Sequence, residues 1–345
     1  MKRYLILVIA LVALLGIVGS AAEYPRIGLI TATGGLGDKS FNDGSFKGAT
    51  AAAQAIADQY GVTVEDVLDY VEPSDIAEYE LLQVTFADSG EYTIIMCIGF
   101  DQKTALESVA AQYPDQLFGI VDETVLLPNV VSLRFNDWES AYLIGVAAGL
   151  MTETDTIGFE GGMEFPLIVG FMKGYTQGAQ SVNPDVEVLV RYVGAWDNPT
   201  LGAELAREMY DTGADIVYGA AGKSHLGVFT AAQEADGRFA MGTDVDQALT
   251  EPSAAGVIIG SGQKRVDLAV EDTINRAIAG TFVGEELWFG IVGDLGYGTG
   301  IYLGGSNVSP YVQASMSEIT VPCDVILGVL EAVEDIRTGT VVIDH

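Results

Sequence analysis

Four residues of this chain fall where an apolar run gives way to a loop: Trp196 in GAWDNP, Gly222 in AAGKSH, Asp244 in TDVD and Lys264 in KRVD. A fifth, Phe41, ends the glycine-rich stretch GGLGDKSF and is flanked by Asp38 and Asn42. An indole and a phenyl ring can sandwich a planar ligand, with attraction set by ring geometry on top of burial. A carboxylate at Asp244 accepts hydrogen bonds from ribose-type hydroxyls, and the Lys264 ammonium donates to that carboxylate or to the ligand. Gly222 lets backbone come close to whatever is bound. Taken singly, a tryptophan usually packs, an aspartate usually caps a turn and a lysine usually faces water. Their shared position at strand ends is what marks a small-molecule site.

Catalytic constellations are sparse. Only two histidines occur and His345 is terminal; Ser224 and His225 are adjacent, but GKSHL lacks the second glycine of a nucleophile elbow. No Cys/His group has metal-ligand spacing, so neither a metal nor a cofactor is expected. Carboxylates are plentiful, so a paired-aspartate enzyme acting on nucleosides stays open as the weaker reading.

The elements that hold these residues read as alternating strands and helices. Residues 27–31 form a β-branched apolar run, then Gly34, Gly35 and Gly37 permit a tight turn with positive φ. Asp38 and Ser40 are candidate N-caps for a helix through Phe46, Ala49, Ala52, Ala53 and Ile56. A phosphate cradle is disfavoured: Asp38 stands where a P-loop needs glycine before the Lys-Ser pair, and its charge would repel phosphate. A purely structural β–α turn is the remaining rival. Apolar strands recur at residues 62–71, 92–100, 117–121 and 130–135, with helices at 74–84 and 105–113 between. A second round alternates strands at 156–159, 186–193, 216–219, 239–242 and 257–260 with helices at 139–151, 167–181, 200–212, 226–235 and 266–279. This pattern implies parallel sheets covered on both faces, in two interleaved lobes without a linker. Ligands then belong beyond the carboxyl ends of the strands, between lobes.

Composition narrows the partners. Acidic side chains number 48 against 16 basic, a net charge of −32, so nucleic acid and anionic membrane surfaces are poor partners, since both need a basic face. The acids are scattered, which suits a solvated, self-repelling surface. Lys2 and Arg3 precede an apolar run at residues 5–18 and the small residues 19–22, the pattern of a secretory signal or an N-terminal anchor over residues 1–22. No cysteine near that run could take a lipid. Cys97, inside an apolar run, reads as a buried free thiol, with a Cys97–Cys323 disulfide as the alternative.

In order along the chain, GGLGDKSFN, ESAYLIG, IGFEGGM, GAD, DVDQ and KRVD resemble the basic membrane protein family of ABC-importer substrate-binding proteins, of purine-nucleoside-receptor type. The resemblance runs from about residue 27 to the C-terminus. It implies an α/β type I periplasmic-binding fold: two Rossmann-like lobes with parallel sheets joined by a hinge. One lobe is expected from residues 23–133 plus about 261–290, the other from 134–260 plus about 291–345. It also implies an exported, non-enzymatic receptor that binds a nucleoside-like ligand and serves an ABC permease; a sensor ectodomain would share the binding chemistry. By the same likeness Phe41 and Trp196 stack the base, while Asn42, Gly222, Asp244 and Lys264 contact ligand. One departure matters: Ala32 stands where nucleoside receptors of this family carry an Asp that bonds the base. His225, where the family prefers small residues, adds a second departure. Both leave room for a flavin or another ring-bearing ligand.

Overall fold

The computed structural model describes residues 24–291, 298–305 and 307–345. The apolar run expected to act as a signal or anchor lies outside the described residues. Among the described residues, no helix is long and apolar enough to cross a membrane.

The first half of the chain runs β1 (Ile27–Ile30), α1 (Phe41–Tyr60), α2 (Val64–Val67), β2 (Leu68–Val71), α3 (Tyr79–Ser89), β3 (Ile94–Cys97), α4 (Lys103–Gln112), β4 (Leu117–Val121) and β5 (Val130–Phe135). Next come α5 (Asp137–Met151), β6 (Thr156–Gly161), α6 (Pro166–Val182), β7 (Glu187–Tyr192), α7 (Pro199–Thr212), β8 (Ile216–Ala220), α8 (Leu226–Ala232), β9 (Phe239–Gly242), α9 (Gln247–Thr250) and β10 (Ile258–Lys264). The chain finishes with α10 (Val266–Ile278), β11 (Glu286–Phe289), β12 (Thr299–Gly304), β13 (Val312–Ser315) and α11 (Cys323–Thr338).

Two sheets result. One has the order β11-β5-β4-β3-β1-β2 and is parallel throughout; the other has the order β13-β12-β10-β9-β8-β6-β7, with the β10–β12 pairing antiparallel. Each sheet is covered on both faces by its own pair of apolar clusters, as buried parallel strands require. The chain passes from the first sheet to the second at Asn136, returns at Arg265, and crosses again between β11 and β12. Residues 261–264 pair with β9 and β12, so this crossing lies past the boundary expected at 261. The ladder with β12 holds β10 as a strand as far as Lys264.

Two local differences from the sequence reading have plain causes. The strand expected over 62–71 begins as the short helix α2, because Thr63 and Asp66 form a reciprocal capping box. The strand over 92–100 is cut to Ile94–Cys97, because Gly99 adopts φ +112 and turns the chain toward the cleft. Cys97 is a buried free thiol and Cys323 is exposed at the start of α11, so the disulfide alternative fails.

Two of the three crossings are tied together. Glu139, in the first turn of α5, takes the Ile291 N–H at 2.6 Å and the Thr299 hydroxyl at 2.9 Å, while Asn136 donates to its other oxygen at 3.0 Å. Asn136 N–H also meets the Phe289 carbonyl at 2.8 Å. The first and third crossings therefore move as one piece.

Candidate binding cleft between the lobes

The loops after β1, β3 and β4 face those after β6, β7, β8 and β9 across a cleft between the lobes, a usual place for a small-molecule site. In the first loop Gly34, Gly35 and Gly37 all hold positive φ, which carries the chain from β1 to α1 in a tight path. Asp38 is almost fully buried and its carboxylate accepts the N–H groups of Ser40, Asn42 and Asp43 at 2.7–3.1 Å. It thus performs the capping that the Ser40 side chain does not. Burial pushes the Asp38 carboxyl up to about 6 against those three bonds. Asn42 is anchored by Oδ1, which accepts the Ala32 N–H at 2.9 Å.

Across the cleft Trp196 lies against Gly162. A Cβ on that glycine would fall 2.3 Å from the Trp196 ring, so only glycine leaves the indole its place. The edge-on neighbour of Trp196 is Phe100 of the other lobe, with ring centres 6.4 Å apart and planes at 72°. Phe100 in turn meets Phe165 at 5.2 Å, so aromatic contacts already bridge the lobes.

Lys264 is the electrostatic centre. Its ammonium, 3% exposed, donates to Asp122 Oδ2 at 2.7 Å and to Asp137 Oδ2 at 3.2 Å. It also lies 5.0 Å from the Phe41 ring centre and 5.1 Å from that of Phe135. Despite burial, Asp122, Asp137 and Asp244 hold the lysine pKa above its ordinary value. Burial raises the Asp137 carboxyl far above the usual range, with Lys264 opposing it; Asp244 moves the same way for the same reasons. The second oxygens of Asp122 and Asp137 are buried without partners. Asp122, just after β4, and Asp244, two residues after β9, lie in the left-handed region, φ +70 and +68, a conformation that clusters at ligand sites.

The described lobes are closed on each other. Ser40 Oγ donates to Asp244 Oδ2, and the Lys39 carbonyl accepts from Thr250 Oγ1 at 3.0 Å and Gln247 Nε2 at 3.2 Å. His225 is buried against the same Gln247 amide; burial lowers its pKa to about 4, so the ring is neutral.

Comparison with known proteins accounts for this arrangement. Residues 26–295 match the Bmp model, "ABC transporter substrate-binding protein PnrA-like". The chain belongs to the Bmp family of substrate-binding proteins. It is 32% identical over 337 residues to the CD4+ T-cell-stimulating antigen of Listeria monocytogenes, covering 90% of this chain and 92% of that protein. Over 273 residues it is 32% identical to the ABC transporter nucleoside-binding protein BmpA of Lactococcus lactis, covering 75% and 76%. An ABC transporter solute-binding protein from Aeropyrum pernix superposes with a TM-score of 0.76 at 29% identity over 92% of both chains. The fold is accordingly the type I periplasmic-binding fold, and the chain is a substrate-binding protein of an ABC transporter.

All seven residues singled out in the sequence of this Bmp-family chain (Asp38, Phe41, Asn42, Trp196, Gly222, Asp244 and Lys264) line the one cleft. Two details differ from expectation. Lys264 pairs with Asp122 and Asp137, and Asp244 is held instead by Ser40. The second is that Trp196 meets Phe100 edge-on, an aromatic neighbour that was not expected. Sequence reasoning missed Asp122, Asp137 and Phe100. A signal existed for Asp122, which follows LFGIV as Asp244 follows FAMGT.

Proposed function

We propose that this protein is an exported receptor that binds a nucleoside-like ligand between its lobes, closes by hinge motion and presents it to an importer permease. The observation that carries this reading is the Lys264–Asp122 pair, whose spare carboxylate oxygen lies in a cleft also lined by Phe41 and Trp196. A polyol such as ribose offers hydroxyl donors to Asp122 and acceptors to Lys264, while a flat base fills the space between the rings. The naming of the Lactococcus relative as nucleoside-binding, and of a 34%-identical Pyrococcus horikoshii relative as a lipoprotein, supports both ligand class and export.

Ligand is bound and released unchanged in this reading. The Asp244 carboxylate is engaged by Ser40 and those of Asp122 and Asp137 by Lys264, an arrangement that suits holding a ligand. Isothermal titration of the purified chain against purine nucleosides, pyrimidine nucleosides and flavins tests the ligand class. Silence across the panel defeats it. Free base appearing on incubation with nucleoside would turn the reading toward an enzyme.

A further inference from the structure

Gln247 reaches from one lobe to the other. Its Oε1 accepts the Thr243 N–H at 2.8 Å, which turns the amide nitrogen toward the Lys39 carbonyl, 3.2 Å away in the opposite lobe. Its backbone N–H donates to Ser261 Oγ at 3.1 Å, so the residue is fixed within its own lobe at both ends. The same Lys39 carbonyl accepts the Thr250 hydroxyl at 3.0 Å. Lys39 itself holds φ +58, a conformation that is costly for a non-glycine residue and that clusters at clamps and switch regions.

A side-chain amide nitrogen carries two hydrogens, and the Lys39 bond uses one. The other meets His225 Nε2. An amide nitrogen does not accept, so the ring nitrogen must, which requires a neutral imidazole. Burial supplies that state by lowering the His225 pKa to about 4. The ring proton is thereby placed on Nδ1, which is buried without a hydrogen-bond partner of its own. Packing seats the ring instead. A Cβ on Gly219 would fall 2.7 Å from that of His225, and Phe229 meets the imidazole edge-on at 5.2 Å. Gln247 and His225 are both fully buried, so water cannot replace either partner. Without the ring acceptor one amide hydrogen is orphaned in the interior, and the amide regains freedom to turn away from Lys39.

We infer that His225 is a positioning residue: its Nε2, acting as acceptor, holds the Gln247 amide against the Lys39 carbonyl and so latches the two lobes together before ligand arrives. Contacts made only in the closed form shift the balance between open and closed whichever molecule the cleft takes. The inference rests on the hinge motion proposed above and not on the ligand class.

The test reads closure directly in the full chain without ligand. Cys323 is the exposed member of the chain's two cysteines and opens α11 in the second lobe, while Cys97 is buried. Spin labels on Cys323 and on a Gln54→Cys variant, at an exposed site of α1 in the first lobe, report the interlobe distance by pulsed electron resonance. A closed population is expected without ligand. His225→Leu should lower the closed-to-open ratio roughly five- to tenfold, the worth of one interior hydrogen bond. His225→Gln, whose Oε1 can stand in for Nε2, should keep most of the wild-type ratio. Nitrogen-15 spectra of the unlabelled wild type should show His225 with its proton on Nδ1, a readout that needs no variant to fold. An Nε2–H ring overturns the inference, because that hydrogen would face the amide hydrogens. So does a His225→Leu ratio equal to wild type, or a His225→Gln ratio as low as that of His225→Leu. In those cases the hinge reading stands. A single distance that neither the variants nor added inosine moves removes the hinge motion and this inference with it.

Discussion

Replacing Lys264 with methionine removes the cation shared by three carboxylates while keeping most of the side-chain volume packed near Phe41 and Phe135. The Lys264, Asp122 and Asp137 side chains are 3%, 4% and 1% exposed, so water cannot take over the lysine's role. Breaking a buried pair from one side costs about 3–5 kcal/mol, because the orphaned charge keeps its desolvation penalty. Against a typical stability of about 5–15 kcal/mol the protein should remain folded, with its melting temperature lowered by roughly 10 °C. The deficit should also depend on pH. Asp137 and Asp244 already titrate above the ordinary aspartate range in the folded state, and Lys264 is what holds them down. Without it their folded pKa values rise further, so the folded variant binds protons more tightly than the unfolded chain does. Stability of the variant then falls as pH rises from the unfolded aspartate value through the raised ones. Urea denaturation followed by circular dichroism should show a larger deficit at about pH 8 than at about pH 5. Adding Asp122→Asn and Asp137→Asn should recover at least half of the lost stability and none of the ligand binding. A loss below about 1 kcal/mol, or one equal at the two pH values, would refute the buried-cluster argument.

Three further outcomes are expected. Phe41→Ala and Trp196→Ala should each weaken nucleoside binding by about 1–2 kcal/mol in calorimetric titration while shifting the melting temperature little; unchanged affinity in both would remove stacking from the account. Gly162→Ala should displace the Trp196 indole, since the new methyl would sit 2.3 Å from its ring, and quenching of tryptophan fluorescence by ligand should shrink along with affinity. Glu160 in β6 is fully buried with neither oxygen hydrogen-bonded, and burial alone raises its pKa far above the usual range. Wild-type stability therefore carries a penalty that grows as pH rises from the unfolded glutamate value through the raised one. Glu160→Met should be more stable by about 1–3 kcal/mol at about pH 8 and should lose most of that advantage near about pH 4; calorimetric melts that show no gap at either pH would contradict this.

Much of the cleft was legible in the sequence because α/β proteins place their binding residues at strand ends, and strand ends are local features. Trp196, Asp244 and Lys264 each fall at or just beyond an apolar run, and the glycines that lead to Phe41 announce a turn that positive φ makes possible. Asp122 carries the same local signature as Asp244 and went unused. Asp137 has no such signature: it sits in the first turn of an apolar helix, where a carboxylate is ordinarily explained by the helix dipole. A Lys264–Asp244 pair, one of the two roles open to the lysine from sequence, is reasonable there because the two lie at the same ends of adjacent parallel strands. The Lys264 side chain is drawn instead to Asp122 and Asp137, which stand where the two lobes meet.

Period and punctuation along the chain were therefore enough to determine two covered, mainly parallel sheets and the edge on which ligand would sit, but not the antiparallel pairing of β10 with β12. These follow from nearest-neighbour sterics and from the need to bury alternating apolar segments. Partner choice required the folded chain. The contacts that give Lys264 its charge environment join residues 142 and 127 positions apart, and the Tyr79 and Thr33 groups that hold Asp101 come from separate elements. Hydrogen bonds and ion pairs are decided over a few ångströms, and no local pattern in a sequence encodes which distant loops will be brought that close.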